Sequence, residues 1–336
     1  LQRSERYHGK HDKAGRGTEG EVDVIDYHQP AKVTEAFVAA VAAKTGGTPD
    51  SDLNGPDQEA GPGFYQSTRT EERVRVTTAS AFLHPIMDRE NLHVLTHHRA
   101  LRLTFEGDTC TGVVCETPDG DVHVMASAEV VATAGAYETP KLLMLSGLGP
   151  AAHLAEHGID VLRDLPAVGE NLKDHMLLGV TYECPVPLEA PEMLAEGGAF
   201  LRSSDDITIP DLHYFFGPVQ FVPPRYMTEN PGFTFAPILA QPFSTGTVRL
   251  ASSDPHDNAV VDPRYLEDER DVQLFEYGIA LARELVQHAS FDPFRGKELA
   301  PGADVTDAEG IRAYIREAAG TVWHPACTCK MGAAED

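Results

Sequence analysis

Between Val33 and Ala43 apolar residues recur at helical spacing, with Val33, Phe37 and Val41 on one face and Gly46-Gly47 as a stop. The spacing predicts an amphipathic helix. Thr48 to Pro62 is rich in Gly, Pro, Asp and Asn without a period, which predicts a long irregular loop. From 92 to 126 the pattern changes to strand-like runs parted by turn residues: Leu92 to Phe105, a turn at 106 to 108, Gly112 to Thr117, a turn at Pro118-Asp119-Gly120, and Val122 to Ala126. This is the pattern of a meander. Val130-Val131-Ala132 is a short apolar run, as in a strand buried on both faces. It feeds through Thr133-Ala134-Gly135-Ala136 into a helix with Thr139 as expected N-cap, Pro140 first, Lys141 to Ser146 as the body and Gly147 as the left-handed stop.

Beyond Leu178 the apolar positions become aromatic and alternate. Strands are expected at His213 to Phe216 and Phe233 to Phe235, with a hairpin through Ser244-Thr-Gly246 into Val248-Arg-Leu250, giving a second, antiparallel sheet. Val272, Phe275, Ile279, Ala282 and Val286 then mark one helix. Thr306 and Glu309 form a capping box before another, carrying Ile311, Tyr314, Ile315 and Ala318. Gly320 stops it just before His324.

Composition narrows the function classes. The 336 residues, 42% hydrophobic and 24% charged, belong to a globular chain of one large or two ordinary domains. Acidic residues outnumber basic ones 52 to 27, and the resulting net charge of −25 repels phosphate backbones, so nucleic acid is not an expected partner. No apolar run reaches the ~18 residues of a membrane helix, and the first residues lack the apolar core of a signal peptide. The five cysteines form no regular framework, which fits a reduced, cytoplasmic setting. Cys327 and Cys329 are too close for a C-x-x-C site, and no second pair completes a tetrahedral set, so no metal is expected. The chain opens on leucine, from which we expect that its start is not that of the gene product.

Candidate chemistry lies in two places. The junction at 130 to 147 would aim backbone N–H groups and a positive helix end at one point, which suits a phosphate-bearing cofactor. Near the carboxyl end, Thr321-Val-Trp-His-Pro-Ala-Cys-Thr-Cys-Lys-Met-Gly332 sets His324 between a tryptophan and a proline. An imidazole titrates near neutrality, so His324 is the candidate catalytic base. The other histidines, His97 and His98 included, fall in no triad or ligand spacing.

Gly135-Ala-Tyr-Glu-Thr-Pro-Lys-Leu-Leu-Met-Leu-Ser-Gly-Leu-Gly149 resembles the second signature of the glucose-methanol-choline (GMC) flavoprotein oxidoreductases. Gly169-Glu-Asn-Leu-Lys-Asp-His175 resembles the segment after it, and Trp323 to Gly332 resembles the family's active-site block. The Cys-Thr-Cys-Lys variant, with Phe291-Asp-Pro-Phe-Arg-Gly-Lys-Glu-Leu-Ala-Pro-Gly302, is most similar to the choline dehydrogenase branch.

The resemblance implies an α/β (α+β) fold: an incomplete FAD-binding Rossmann-like domain plus a substrate domain with an antiparallel sheet flanked by helices. The expected division is 1–30 and 79–177 for the FAD domain, 31–78 for a connecting helix and lid-like loop, 178–320 for the substrate domain, and 321–336 for a return carrying the histidine. It also implies oxidation of an alcohol by hydride transfer to flavin N5 with His324 as base, and oxygen, a quinone or a dye as acceptor. Ala100, Ala134, Gly135 and Trp323 are carried over as FAD contacts. The family's G-x-G-x-x-G unit has no match here: Gly15-Arg-Gly17 and Gly46-Gly47 neither follow a buried strand nor open an apolar helix. A second catalytic His or Asn is implied beyond residue 336. Three further readings therefore stay open: a chain completed by a complementing segment or a second copy, a non-catalytic remnant, and a lyase of the hydroxynitrile type. A choline-like substrate would need an aromatic cage, for which Tyr214, Phe215, Phe216 and Phe221 are candidates, although a sheet core explains them equally.

Overall fold

The structure, a computed structural model, describes residues 2–12 and 14–332. Among these are five α-helices: α1 (Lys32–Thr45), α2 (Gly135–Leu145), α3 (Ala151–Glu156), α4 (Glu269–Leu285) and α5 (Ala308–Ala318). None of the described helices is long and apolar enough to cross a membrane. The chain divides into two compact units. The first comprises Leu1–Leu92, His175–Gln241 and Glu269–Val322; the second comprises His93–Asp174, Pro242–Asp268 and Trp323–Asp336. Residues 1–30 thus lie with 31–78 in the first unit and 242–268 lie in the second, a division different from the segments expected above. Long-range pairing sets it. Glu5–Tyr7 runs parallel to Val22–Asp26, which pairs with Gln66–Ser67, while Gly246 bridges to Leu172.

The first unit is built on an eight-stranded sheet. Its main path is Glu298–Ala300, Val180–Glu183, Gly232–Leu239, Leu212–Gly217, Gly197–Leu201 and Gly63–Phe64, every pairing antiparallel. Alternation sorts the strand Leu212–Gly217: Leu212, Tyr214 and Phe216 are buried, while His213 and Phe215 on the opposite face are half-buried. Phe216 stacks on Phe37 of α1 with centroids 4.6 Å apart, and Phe233 stacks on Phe291 at 5.5 Å. Tyr214 donates to the Gly278 carbonyl of α4. A Cβ at Gly278 would come within 2.7 Å of Pro237 Cβ, so that close approach requires glycine.

Two polar anchors complete the unit. Ala31 cannot cap α1 with its own side chain, and the buried Glu196 does so instead, accepting from Ala31 N (2.9 Å), Thr34 Oγ1 (2.6 Å) and Tyr27 Oη (2.8 Å). At the other end, Gly46 takes the left-handed stop with φ 71°. Arg16 is buried over the Tyr7 ring and paired with Glu5 and Asp52, the latter at 2.7 Å.

The second unit begins with the expected meander, Arg99–Glu106, Thr109–Thr117 and Gly120–Met125. Its first strand starts at Arg99 rather than near Leu92. Helix α2 lies against that strand, where Leu103 N donates to Ser146 Oγ at 2.8 Å, and Met144, Leu154, Val168 and Leu250 form a small core. Gly147 is left-handed, as expected (φ 83°). Four expectations fail. Val130–Ala132 forms no strand, and Val131 is 71% exposed, because no described strand pairs with it on either side. α2 starts at Gly135, four residues before Thr139, so Pro140 lies inside it. In the first unit, Asp307 and not Thr306 caps α5, accepting from Gly310 N at 2.9 Å. The Ser244–Gly246 segment likewise makes no hairpin of its own: Thr247–Arg249 pairs with Val260–Asp262.

Candidate active site

Pro140 removes one N–H from α2 and would leave the carbonyl four residues back, that of Ala136, without its helical donor. The Thr328 hydroxyl fills the gap, donating to Ala136 O at 2.6 Å. Thr328 is buried. A residue of the histidine block thus completes the first turns of α2, which lets the helix begin before its proline.

The rest of the block is held by the Gly169–Asp174 segment. Gly169 N donates to Thr328 O at 2.8 Å, Lys173 and Ala326 exchange backbone bonds of 3.1 and 2.8 Å, and His324 N donates to Asp174 Oδ1 at 2.9 Å. Asp174 Oδ2 accepts the Tyr265 hydroxyl at 2.6 Å. Burial, with the Asp174 charge adding to it, pushes the phenol of Tyr137 in α2 upward. Trp323 and Cys327, on either side of the His-Pro pair, adopt left-handed backbone with φ 61° and 74°. Such residues cost on the order of 1–3 kcal/mol each and persist only where the surroundings hold them. His324 and Trp323 are both exposed, Trp323 at 77%.

Ala100 and Ala134 meet in one cavity. It measures about 350 Å³ and is lined also by Arg99, Glu138, Lys141, Leu142, Leu145 and Pro255. This is the low end of the roughly 300–1,000 Å³ range of small-molecule sites and suits a nucleoside-sized part of a larger ligand. Ala134 is the N-cap of α2 and offers no side-chain cap. Gly135 follows with φ 85°, and a Cβ there would meet nothing within 4 Å, so its glycine is needed for the backbone turn and the space before it is open. The Lys141 ammonium is buried, makes no hydrogen bond among the described residues, and lies 3.4 Å from Glu138 Oε2. An uncapped helix start and a buried cation in need of acceptors fit a nucleotide cofactor.

The sequence-predicted residues therefore fall into two groups. Ala100 and Ala134 share the cavity with Gly135 next in the chain; Trp323 and His324 belong to the block, which reaches α2 through Thr328. Lys141 and Asp174 are not among the expected site residues. Asp174 was signalled by its place in the Gly169–His175 segment, and Lys141 by its spacing of three from Glu138. Of the aromatic cage candidates, Tyr214 and Phe216 lie fully buried in the sheet core and are corrected to packing residues. Among the described residues no group of three or more His, Cys, Asp or Glu side chains is arranged to hold a metal.

Comparison with known proteins bears on both groups. Residues 6–177 and 242–336 match the two family models described as GMC oxidoreductase. The chain is similar to choline oxidase of Arthrobacter globiformis, 38% identical over 97% of this chain and 61% of that protein. It is also similar to alcohol dehydrogenase (acceptor) of Pseudomonas putida, 35% identical over 94% of this chain and 62% of that protein. Among solved structures, pyridoxine 4-oxidase from Mesorbium loti superposes with a TM-score of 0.88 at 28% identity, covering 98% of this chain and 65% of that one. The chain thus spans about three fifths of the length of these curated relatives.

Proposed function

The chain belongs to the GMC oxidoreductase family, and from that premise we propose that it serves the FAD-dependent oxidation of an alcohol to an aldehyde, with His324 as the base. The single observation that carries the reading is the Thr328–Ala136 bond, which ties the histidine block to the helix whose start and body line the nucleotide-sized cavity.

Ala100, Ala134, Gly135 and Lys141 would hold the adenosine side of FAD, with Trp323 a further contact. The bound flavin supplies the hydride acceptor, chemistry that no side chain performs. The chain's residues supply the rest. A neutral His324 imidazole within about 3 Å of the alcohol oxygen takes the hydroxyl proton, help that contributes about 10²- to 10⁴-fold. Its exposure leaves it accessible to a substrate. Trp323 and Pro325 restrict the backbone on either side, which limits how far the ring can stray. The substrate class is a choline-like or other primary alcohol, in keeping with the activities named for the relatives.

A visible spectrum with added FAD tests the reading. A yellow, stoichiometric complex that bleaches anaerobically with one member of a panel of choline, primary alcohols and polyols supports it. A protein that stays colourless at saturating FAD would overturn it for this polypeptide.

A further inference from the structure

We propose that Asp174 is the positioning residue for His324, an inference that rests on the reading of His324 as base. One antiparallel bridge, between Lys173 and Ala326, holds the middle of the histidine block, and Gly169 N donates to Thr328 O beyond it. Left-handed Cys327 and Trp323 interrupt any extended run, and the His175 carbonyl, next in register opposite His324, accepts from Val322 N instead. The His324 N–H there needs an acceptor other than a strand carbonyl. The Asp174 carboxylate provides it at 2.9 Å, and the Tyr265 hydroxyl, 2.6 Å from the second oxygen, fixes the carboxylate's orientation. A bond to an ionised acceptor is roughly twice as strong as a neutral one. With Asp174 only 5% exposed, little of that strength is lost to water. The carboxylate therefore sets where the peptide leaves Trp323, and hence where the imidazole sits.

Trp323 is the sole tryptophan of the sequence and His324 follows it. Labelling with carbonyl-¹³C tryptophan and ¹⁵N histidine therefore gives a single carbonyl–amide correlation, that of the Trp323–His324 peptide. In Asp174→Ala its amide proton moves upfield. In the FAD-loaded protein kcat falls at least ~10-fold with KM and flavin content unchanged, since a displacement of about 1 Å can cost on the order of 10²-fold. Asp174→Asn keeps one carbonyl acceptor and restores most of both signals, which a role in bulk stability would not predict. Should Asp174→Ala fail to fold, Tyr265→Phe, which frees the carboxylate without removing it, shifts the same peak by a smaller amount. A peak that stays at its wild-type position in Asp174→Ala, or in Tyr265→Phe when Asp174→Ala does not fold, overturns the proposal. His324→Ala run in parallel separates the two ideas: unchanged turnover there removes the base, while the peptide correlation, read in the Asp174 and Tyr265 variants that keep His324, still reports on Asp174.

Discussion

Phe216, Phe233, Phe235 and Phe291 interlock in the first unit with no exposed surface, whereas in the second unit Met125, Val131, Val161 and Leu162 stand open to solvent. The unit that carries His324 is therefore ordered less by apolar burial than by directional bonds: Thr328 to Ala136, Asp174 to His324 and Tyr265, Leu103 to Ser146. Burial is non-directional and scales with area, while a hydrogen bond fixes a distance and an angle. A sheet of stacked rings gives a rigid frame; a network of named donors and acceptors fixes the backbone at His324, the proposed base. Damage to the first should show as a large loss of stability, and damage to the second as a smaller one, with loss of chemistry where the bonds to His324 are cut.

That contrast breaks if the aromatic core proves dispensable. Phe216→Ala removes a ring stacked on Phe37 and is expected to cost about 3–5 kcal/mol in urea unfolding. A loss no larger than that of a surface change would contradict it. Arg16→Met comes next. Burial alone would raise the Glu5 and Asp52 carboxyls, but the hydrogen bonds and charge of Arg16 outweigh it and hold both below their ordinary values. Carboxyls lowered in the folded state add stability above about pH 4 that disappears as pH falls through their folded values. Arg16→Met should thus cost about 3 kcal/mol at pH 7, where two part-buried carboxylates lose their partner, and progressively less below pH 4. A cost independent of pH would refute the pairing.

The smaller effects belong to the second unit. Thr328→Val leaves the Ala136 carbonyl without a donor and should lower stability by about 1–3 kcal/mol, with Thr328→Ser restoring it, as read by thermal unfolding. Equal melting of the Val and Ser variants would show that the hydroxyl does not complete α2. Val131→Ser should fall within about ±0.5 kcal/mol, since that side chain buries little. A larger loss would mean that 130–132 is packed after all.

The same contrast explains what could be read from residues in order. Helix α1 with its stop at Gly46, the turns of the meander and the alternation through Leu212–Gly217 follow from local spacing, and the structure has them. Pro140 misled because its compensation comes from Thr328, 192 residues along the chain from the Ala136 carbonyl that it serves. Val130–Ala132 has the composition of a central strand, but a strand exists only with partners, and composition does not name them. At α5, Thr306 and Asp307 are both good caps, and backbone geometry one residue later chose between them. For the site, the block around His324 and the small residues Ala100, Ala134 and Gly135 were legible as motif. Asp174 and Lys141 stood inside the quoted segments, but what each of them meets showed only in burial and bond geometry.

The central claim is that His324 takes the alcohol's proton. Mixing the FAD-loaded protein anaerobically with an alcohol that it oxidises, and following the loss of the flavin's visible band, measures that step in a single turnover. His324→Ala with undiminished flavin content should slow the bleaching at least ~100-fold. Bleaching at the wild-type rate would contradict the account.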